Sequence, residues 1–384
     1  MISKAVKTLI LFTVGMCSAS LAVYLPPKTI PPNEVQKTIR VMSYNVENLF
    51  DTVHDQGKND YEFLPKNHPD KAKYCKTEPD PKRCLSEDWT NARLAIKLAQ
   101  IRNVFAAIPG GFPQIMGLVE VENESVVKQL AAVLGFKGQV TANGPDERGI
   151  DVALMYNESA TLKFVKATAI RLDPSKLGKP TRDILEVTFK VMTSTGWHEL
   201  AIYVNHWPSQ NNPVQSRLVA AQTLAPVVKA KMQSGAHVIV MGDFNTTVKD
   251  SPNPLQAFSQ AAGVYDMDSV FRQNAPQAGI NLGLVPAGTY FYPGSSSQPV
   301  ISWDLLDRFF VSPSMVTRSS LIVDWSSYRI FSHPGLTTSY KYKSGPYAGK
   351  VINDVPFRYN HFTDMPAQSG YSDHFPILLD IKLL

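Results

Sequence analysis

The chain has 384 residues, 44% of them hydrophobic and 18% charged, a length that supports a sizeable core and a composition that excludes a disordered chain, a coiled coil or a collagen-like fibre. Its 28 prolines favour turns and loops over long helices. The formal net charge of +5 is too small at this length to identify a nucleic-acid binder, so attraction to phosphate has to come from local patches.

Residues 1–22, MISKAVKTLILFTVGMCSASLA, carry Lys4 and Lys7, a short apolar run from Leu9 to Met16, and then small residues. Ser20 and Ala22 suit the −3 and −1 positions of a signal-peptidase site, with cleavage before Val23. The apolar run is too short for a permanent bilayer span, and Met16 is a poor neighbour for a lipid anchor on Cys17. A secreted or periplasmic protein is expected. Residues 23–37 form a Pro-rich, extended leader, and the folded part is expected over 38–384. Loss of Cys17 leaves Cys75 and Cys84 in the polar stretch YCKTEPDPKRCLSED. In an oxidising compartment these read as one local disulfide. Zinc is the weaker reading, because only His68 is close by.

Apolar, β-branched runs bounded by turn residues predict strands over 39–44, 114–119, 151–156, 184–191, 199–205, 237–241, 307–311 and 375–381. Helical periodicity predicts helices over 88–107 and 214–232, with a third after Asn123. The mixture implies an α/β layered fold with sheets inside and helices outside. Segments 53–87, 251–300 and 313–370 are polar and rich in Gly, Pro and Ser, and read as elaborated loops on one domain.

The polar residues fall at strand ends. Asn45 and Glu47 close the first run in SYNVENLF, a spacing that puts both on one face of a strand. Glu120 and Glu122 follow QIMGLV, Asn205 and His206 close ELAIYV, and Asp243 and Asn245 follow HVIVMG. Asp304 and Asp307 lie in SWDLLDRFFVSP, and Asp373 and His374 precede the last strand. Singly, each is an ordinary turn or cap residue. Jointly, they place carboxylates, carboxamides and imidazoles where open sheets collect ligands.

Metal-assisted phosphodiester cleavage needs this inventory. An anionic phosphodiester repels hydroxide, so a divalent ion must neutralise oxygen charge and stabilise the leaving alkoxide. Glu47 and Glu120 offer hard oxygen donors suited to Mg²⁺, Mn²⁺ or Ca²⁺. Asp243 is a candidate to orient or deprotonate the attacking water. Two histidines can donate to the pentavalent phosphorane, one held by a buried carboxylate. P-loop, nucleophile-elbow, HExxH and CxxC motifs are absent from the sequence.

These blocks, in this order from about Thr38 to Leu384, resemble the endonuclease/exonuclease/phosphatase superfamily. The resemblance implies a four-layer α/β sandwich, with two mixed β-sheets face to face and helices outside. It implies that Asn45 in SYNVENLF contacts the phosphate and that Glu47 supports the metal. GLVEVEN resembles the block of the principal metal ligand, here Glu120, although Val119 stands where many members have Gln. Arg148, just before the GIDVALMYN strand, is within reach of a phosphate on this reading. VNHWPSQ resembles the block whose histidine contacts the scissile phosphate, here His206, with Asn205 beside it as a substrate-binding candidate. GDFN is similar to the block in which Asp243 positions water and Asn245 assists. LLDRFFVSP selects Asp307 over Asp304 as the orienter of the last histidine, and YSDHFPI places Asp373 near the metal and His374 against the phosphate.

The leading expectation is an exported, divalent-metal-dependent phosphodiesterase acting as a nuclease on DNA or RNA. NHWPSQ is close to the NHxKSK form of secreted bacterial nucleases, with Pro208 and Gln210 in place of the lysines. The alternative substrate is a lipid headgroup or sugar phosphate, as for sphingomyelinases and inositol phosphatases, and the aromatic stretch TYFYPGSSS at 289–297 is the one candidate lipid hairpin. An inactive binding module predicts lost site residues, and none is lost. No stable protein partner is implied, and a monomer is expected.

Overall fold

A computed structural model describes residues 37–384 apart from positions 296 and 318. The export signal, and all of the Pro-rich leader except Lys37, lie outside the described residues. In chain order the strands begin with β1 (Thr38–Leu49), β2 (Ile115–Val121), β3 (Gly138–Thr141), β4 (Asp151–Tyr156), β5 (Leu162–Ile170) and β6 (Ile184–Thr193). They continue with β7 (Gly196–His206), β8 (His237–Asp243), β9 (Tyr265–Asp266), β10 (Tyr290–Gly294) and β11 (Pro299–Asp304). The last are β12 (Asp307–Val311), β13 (Leu321–Ile330), β14 (Thr337–Lys341), β15 (Val351–Pro356) and β16 (Ile377–Leu383).

Two six-stranded sheets result, ordered β13-β16-β1-β2-β4-β3 and β5-β6-β7-β8-β12-β9. Both are mixed. In each, one parallel pair sits among antiparallel neighbours: β1 with β2, and β7 with β8. A parallel pair needs a crossover, and helices Asn91–Ala106 and Val214–Gln233 lie in the two connections. Thr90 caps the first of these helices by accepting from the Arg93 N–H, and Asn123 caps the helix Glu124–Leu134 by accepting from the Val126 N–H.

Side-chain alternation builds the layers. Ile39, Val41, Ile115, Val119, Val152 and Leu154 of the first sheet meet Val187, Phe189, Ile202, Val204, Ile239, Met241 and Phe309 of the second in the central core. Met42, Tyr44, Met116, Leu118 and Met155 point the other way and pack under helices Asn91–Ala106 and Glu124–Leu134. Ala201, Tyr203, Val238, Val240 and Phe310 pack under helix Val214–Gln233 and its neighbour Pro254–Ala262. Both faces of the central strands are covered, so they read as continuous apolar runs. Each fully buried aliphatic or aromatic side chain in these layers contributes about 1.5–3 kcal/mol.

Several elements differ from the sequence expectation. The segment 313–370 contains β13, which forms an edge of the first sheet and buries Leu321, Val323 and Tyr328 in the central core. Polar residues on its other face, such as Asp324 and Ser326, mask that role in the sequence. Strand β5 is mostly exposed along its length, as suits an edge strand, and lacks a clear apolar run. Segment 251–300 holds helices Pro254–Ala262 and Met267–Asn274 and strand β10, and ends where β11 begins the second arm of the hairpin. Hairpins β10–β11 and β14–β15 pack on one another through Phe291, Tyr342 and Val355.

In segment 53–87 the disulfide Cys75–Cys84 is formed, and both half-cystines are buried with Tyr61 and Leu64. This small cluster has few apolar residues of its own, so the cross-link supplies much of its order. The double substitution Cys75→Ser/Cys84→Ser is expected to lower stability by about 2–3 kcal/mol. Urea denaturation checks this, and an unchanged midpoint would contradict it.

Candidate active site

The C-terminal ends of both parallel pairs lie at the same end of the sandwich, and there the alternation delivers polar groups into the gap between the sheets. Asn45 continues the inward set of Ile39 and Val41, and Asp243 continues that of Ile239 and Met241. His206 follows Ile202 and Val204, and Asp307 lies in register with Asp243. The Asn45 amide donates to Asp243 Oδ2 at 3.1 Å and to Glu120 Oε1 at 3.2 Å, tying the two sheets together through side chains. The Asn245 N–H donates to Asp243 Oδ1 at 2.8 Å, and its amide donates to the Trp207 carbonyl. His206 Nε2 stands 3.8 Å from Glu120 and 4.0 Å from Asp243.

His374 is set by two contacts. Its Nδ1 lies 2.7 Å from Asp307 Oδ2, and its Nε2 lies 3.9 Å from Asp243 Oδ2. The Asp307 N–H in turn donates to the Thr289 hydroxyl, and the His374 N–H to the Ser372 hydroxyl. The Tyr290 ring packs against the imidazole with centroids 5.0 Å apart.

Positive φ angles, strained for residues with a Cβ, cluster here. Among the described residues other than glycine, Glu47, Asn48, Glu120 and Asn245 adopt them, and only Asp354 does so elsewhere. At Glu120 the distortion matters most. Alternation along β2 would send this side chain to the helix-covered face with Met116 and Leu118. Its φ of 65° and the accompanying register shift between Val119 and Val121 turn it into the gap instead. At Glu47, with φ of 54°, the same effect separates two residues expected on one face. Asn45 reaches the second sheet, whereas Glu47 accepts from Arg358 Nε and from the Tyr359 N–H.

Electrostatics give the two histidines opposite states. Burial pushes the His206 pKa well below its usual range, and the nearby positive charges of Arg182, Arg148 and His374 push the same way. Burial also disfavours charge on His374, but Asp307, Asp243 and Asp373 override it and hold that imidazole protonated well above its usual range. Asp243 is pushed up to about 7, first by burial and then by Asp307 and Glu120, against the opposing pull of His374. Glu47 is also pushed up to about 7, by burial and by the charge of Asp373.

Glu47, Glu120 and Asp373 are hard oxygen donors, and Glu47 and Asp373 lie close enough for their charges to interact. The crowding of like charge at Glu47 and Asp373 is what a divalent cation relieves. The donor chemistry therefore fits such an ion. Among the described residues no three His, Cys, Asp or Glu side chains converge as a ready cage, and Arg358 bridges Glu47 and Asp373.

The structure thus brings together Asn45, Glu120, His206, Asp243, Asn245, Asp307, Asp373 and His374, with Glu47 beside them. Arg148 is exposed and close enough to His206 to bias its charge. Asn205 is placed elsewhere. It alternates with His206, so its amide turns to the helix-covered face, donates to the Tyr203 and Met241 carbonyls and accepts from Trp207 Nε1. That corrects its expected substrate-binding role. Tyr44 and Trp207 are likewise core residues.

Sequence reasoning missed Arg182, Lys97 and Arg358, and read Tyr290 only as part of the aromatic stretch at 289–297, without its place against His374. Arg182 is buried, donates to Asp146 and to the Trp207 carbonyl, and adds positive potential at His206. Lys97 is buried, donates to the Tyr371 carbonyl and lies 4.0 Å over the Tyr359 ring. Burial lowers its pKa to about 8 despite the nearby charges of Glu47 and Asp373. None of the three cations stands at the end of an apolar run beside another polar candidate, so no local signal marks them. The hairpin at 289–297 also changes role: Phe291 is buried, Tyr290 faces His374, and Tyr292 is left as its exposed aromatic residue.

A sequence-family model described as the Endonuclease/Exonuclease/phosphatase family matches residues 40–383. The chain matches no curated protein. Among solved structures it is similar to the human Nocturnin catalytic domain with bound sulfate anion, at 16% identity and a TM-score of 0.49, covering 91% of this chain and 96% of that one. A TDP2 from D. rerio complexed with a single-strand DNA product matches at 16% identity and a TM-score of 0.49, covering 90% and 100%. A mannosyl-6-phosphatase from Bacteroides thetaiotaomicron matches at 14% identity and a TM-score of 0.45, covering 89% and 99%.

Asn205→Ala is expected to destabilise the fold by about 1–3 kcal/mol, because buried hydrogen-bond partners lose their mate. Chemical denaturation reads this, and a wild-type midpoint would return Asn205 to the list of binding residues. Asp307→Asn is expected to lower the His374 pKa, because it removes the carboxylate that favours the charged ring. An NMR titration of the ring protons checks it, and an unchanged titration would remove Asp307 as the source of the charge.

Proposed function

Given that the chain belongs to the endonuclease/exonuclease/phosphatase family, we propose that it is an exported, divalent-metal-dependent phosphodiesterase whose principal substrate is nucleic acid. One observation carries the reading: Asn45, Glu120, His206, Asp243 and the His374–Asp307 pair meet within hydrogen-bonding or ion-pair reach at one end of the sandwich. Export is supported by the buried disulfide, which suits an oxidising compartment. Among the described residues no helix is long and apolar enough to cross a membrane.

The chemistry follows from the side chains. Asp243, with one oxygen held by Asn45 and the other by the Asn245 N–H, is oriented to take a proton from water as its oxygen attacks phosphorus. A carboxyl pushed up to about 7 is a competent base at neutral pH. His374, kept charged by Asp307, donates from Nε2 to a phosphoryl oxygen as negative charge develops there. His206 is neutral and contributes a hydrogen bond rather than a charge, while Arg182 and Arg148 supply positive potential beside it. A divalent ion held by Glu120 with Glu47 and Asp373 would neutralise oxygen charge and stabilise the leaving alkoxide.

The two arginines near His206 favour a polyanionic substrate, and a hairpin with one exposed aromatic residue gives little support to a lipid surface. A second reading, a sugar phosphate, draws on a cavity of about 490 Å³ that is lined by Asp51, Asp55, Glu122, Asp151, Asn123 and Asn143 among others, and by none of the residues gathered around Asp243. Its carboxylates and amides suit hydroxyl groups better than a nucleic-acid backbone.

The mature chain from Val23 is expected to nick plasmid DNA or cleave single-stranded DNA or RNA with Mg²⁺ or Mn²⁺, and to stop when chelator is added. Glu120→Ala and His374→Ala are each expected to cut turnover at least ~10²-fold with unchanged circular dichroism. Wild-type rates in either variant would overturn the assignment. Hydrolysis of sugar phosphates alone would promote the second reading, and turnover of sphingomyelin vesicles alone would overturn both.

A further inference from the structure

Two consecutive residues of the loop after β15 occupy the Glu47 carboxylate. Arg358 Nε donates to Oε1, and the Tyr359 N–H donates to Oε2 at 3.0 Å. The same guanidinium places Nη2 3.4 Å from Asp373 Oδ2. It therefore bridges a carboxylate from the end of β1 and one from the segment before β16, two of the three side chains whose chemistry suits a divalent ion. Arg358 lies within the segment 313–370 that reads as loop in the sequence, and no strand end announces it.

We propose that Arg358 is a resident counter-cation of the Glu47–Asp373 pair, which competes with a divalent metal for these carboxylates and so sets how tightly the site takes metal. This rests on the metal-dependent reading above. A buried carboxylate beside a second one requires positive charge nearby, and guanidinium and metal are alternative ways of supplying it. Arginine does not lose its proton in proteins, so it can yield the pair only by moving. The two cations also repel one another, and whichever occupies the pair raises the cost of admitting the other.

The local structure permits that movement. The backbone of Arg358 is fixed by the close passage of Gly370, where any Cβ would come within 2.1 Å of the Arg358 carbonyl oxygen. Its side chain is 61% exposed, leaving room for the guanidinium to swing away. Lys97 and the protonated His374, the other cations near the pair, have no such freedom: Lys97 is fully buried and held to the Tyr371 carbonyl, and His374 is buried and held to Asp307. Exchange of one cation for another at the pair therefore falls to Arg358.

The test is a Mn²⁺ titration of the whole mature protein, followed by calorimetry and by the loss of free-ion paramagnetic resonance signal. Arg358→Gln and Arg358→Met, which remove the charge but keep most of the length, are expected to bind Mn²⁺ about tenfold more tightly than wild type, within the usual span of site-to-site coupling. Arg358→Lys keeps the charge without the fork of donors and is expected to bind Mn²⁺ less tightly than either neutral variant. Thermal melts establish that each variant is folded. Equal or weaker Mn²⁺ binding by both neutral variants would overturn the proposal, because Arg358 would then merely organise the carboxylates. Absence of Mn²⁺ binding in wild type and variants alike would instead overturn the metal-dependent reading, and this inference with it.

Discussion

The face-to-face contact of two sheets is the constraint on which the rest of this molecule depends. Each sheet carries one parallel pair, and both pairs end at the same edge of the sandwich. The inner faces must approach closely for their terminal side chains to meet. Gly117 in β2 shows how closely: a Cβ there would come within 2.4 Å of the Met241 methyl group in β8. With that gap set, Asn45 spans it and hydrogen-bonds both Asp243 and Glu120. Of the two, the bond to Asp243 crosses between sheets, and widening the gap by about an ångström would break it.

Backbone strain is concentrated at the same edge. The positive φ angles at Glu47, Asn48, Glu120 and Asn245 cost roughly 1–3 kcal/mol each, and the packed sheets behind them hold the strained residues in place. What the strain provides is direction. A regular strand can present side chains only to its two faces, whereas the site needs carboxylates turned toward a common point from strands of different parity. The Asn48 N–H, itself on a strained residue, donates to Glu120 Oε2 at 3.1 Å, so the two distorted strand ends support each other.

Charge at the site is organised in pairs. Asp307 fixes His374 as a cation, while burial and the nearby charges of Arg182 and Arg148 leave His206 neutral. Glu47 and Asp373 share the Arg358 guanidinium, with Lys97 buried nearby. These internal cations come from regions with no polar signature of their own: a crossover helix in the case of Lys97 and a loop-like insertion in the case of Arg358. Arg358 is 311 residues from Glu47 in sequence, and Lys97 reaches the same carboxylate's surroundings from another element.

The sequence alone determined the central strands, the two crossover helices and the residues at the strand ends, because burial on both faces writes apolar runs and their termini write polar ones. Periodicity even contains the reason Asn205 points away from the site, since it must alternate with His206. Edge strand β13, the hairpins that pack on each other and the cations Arg182, Lys97 and Arg358 were decided by tertiary structure. Half-exposed elements leave weak patterns, and contacts between residues that are not neighbours along one strand or helix leave none. The orientation of Glu120 belongs with these. Local alternation sends it to the wrong face, and only the packing that holds its strained backbone turns it toward Asp243.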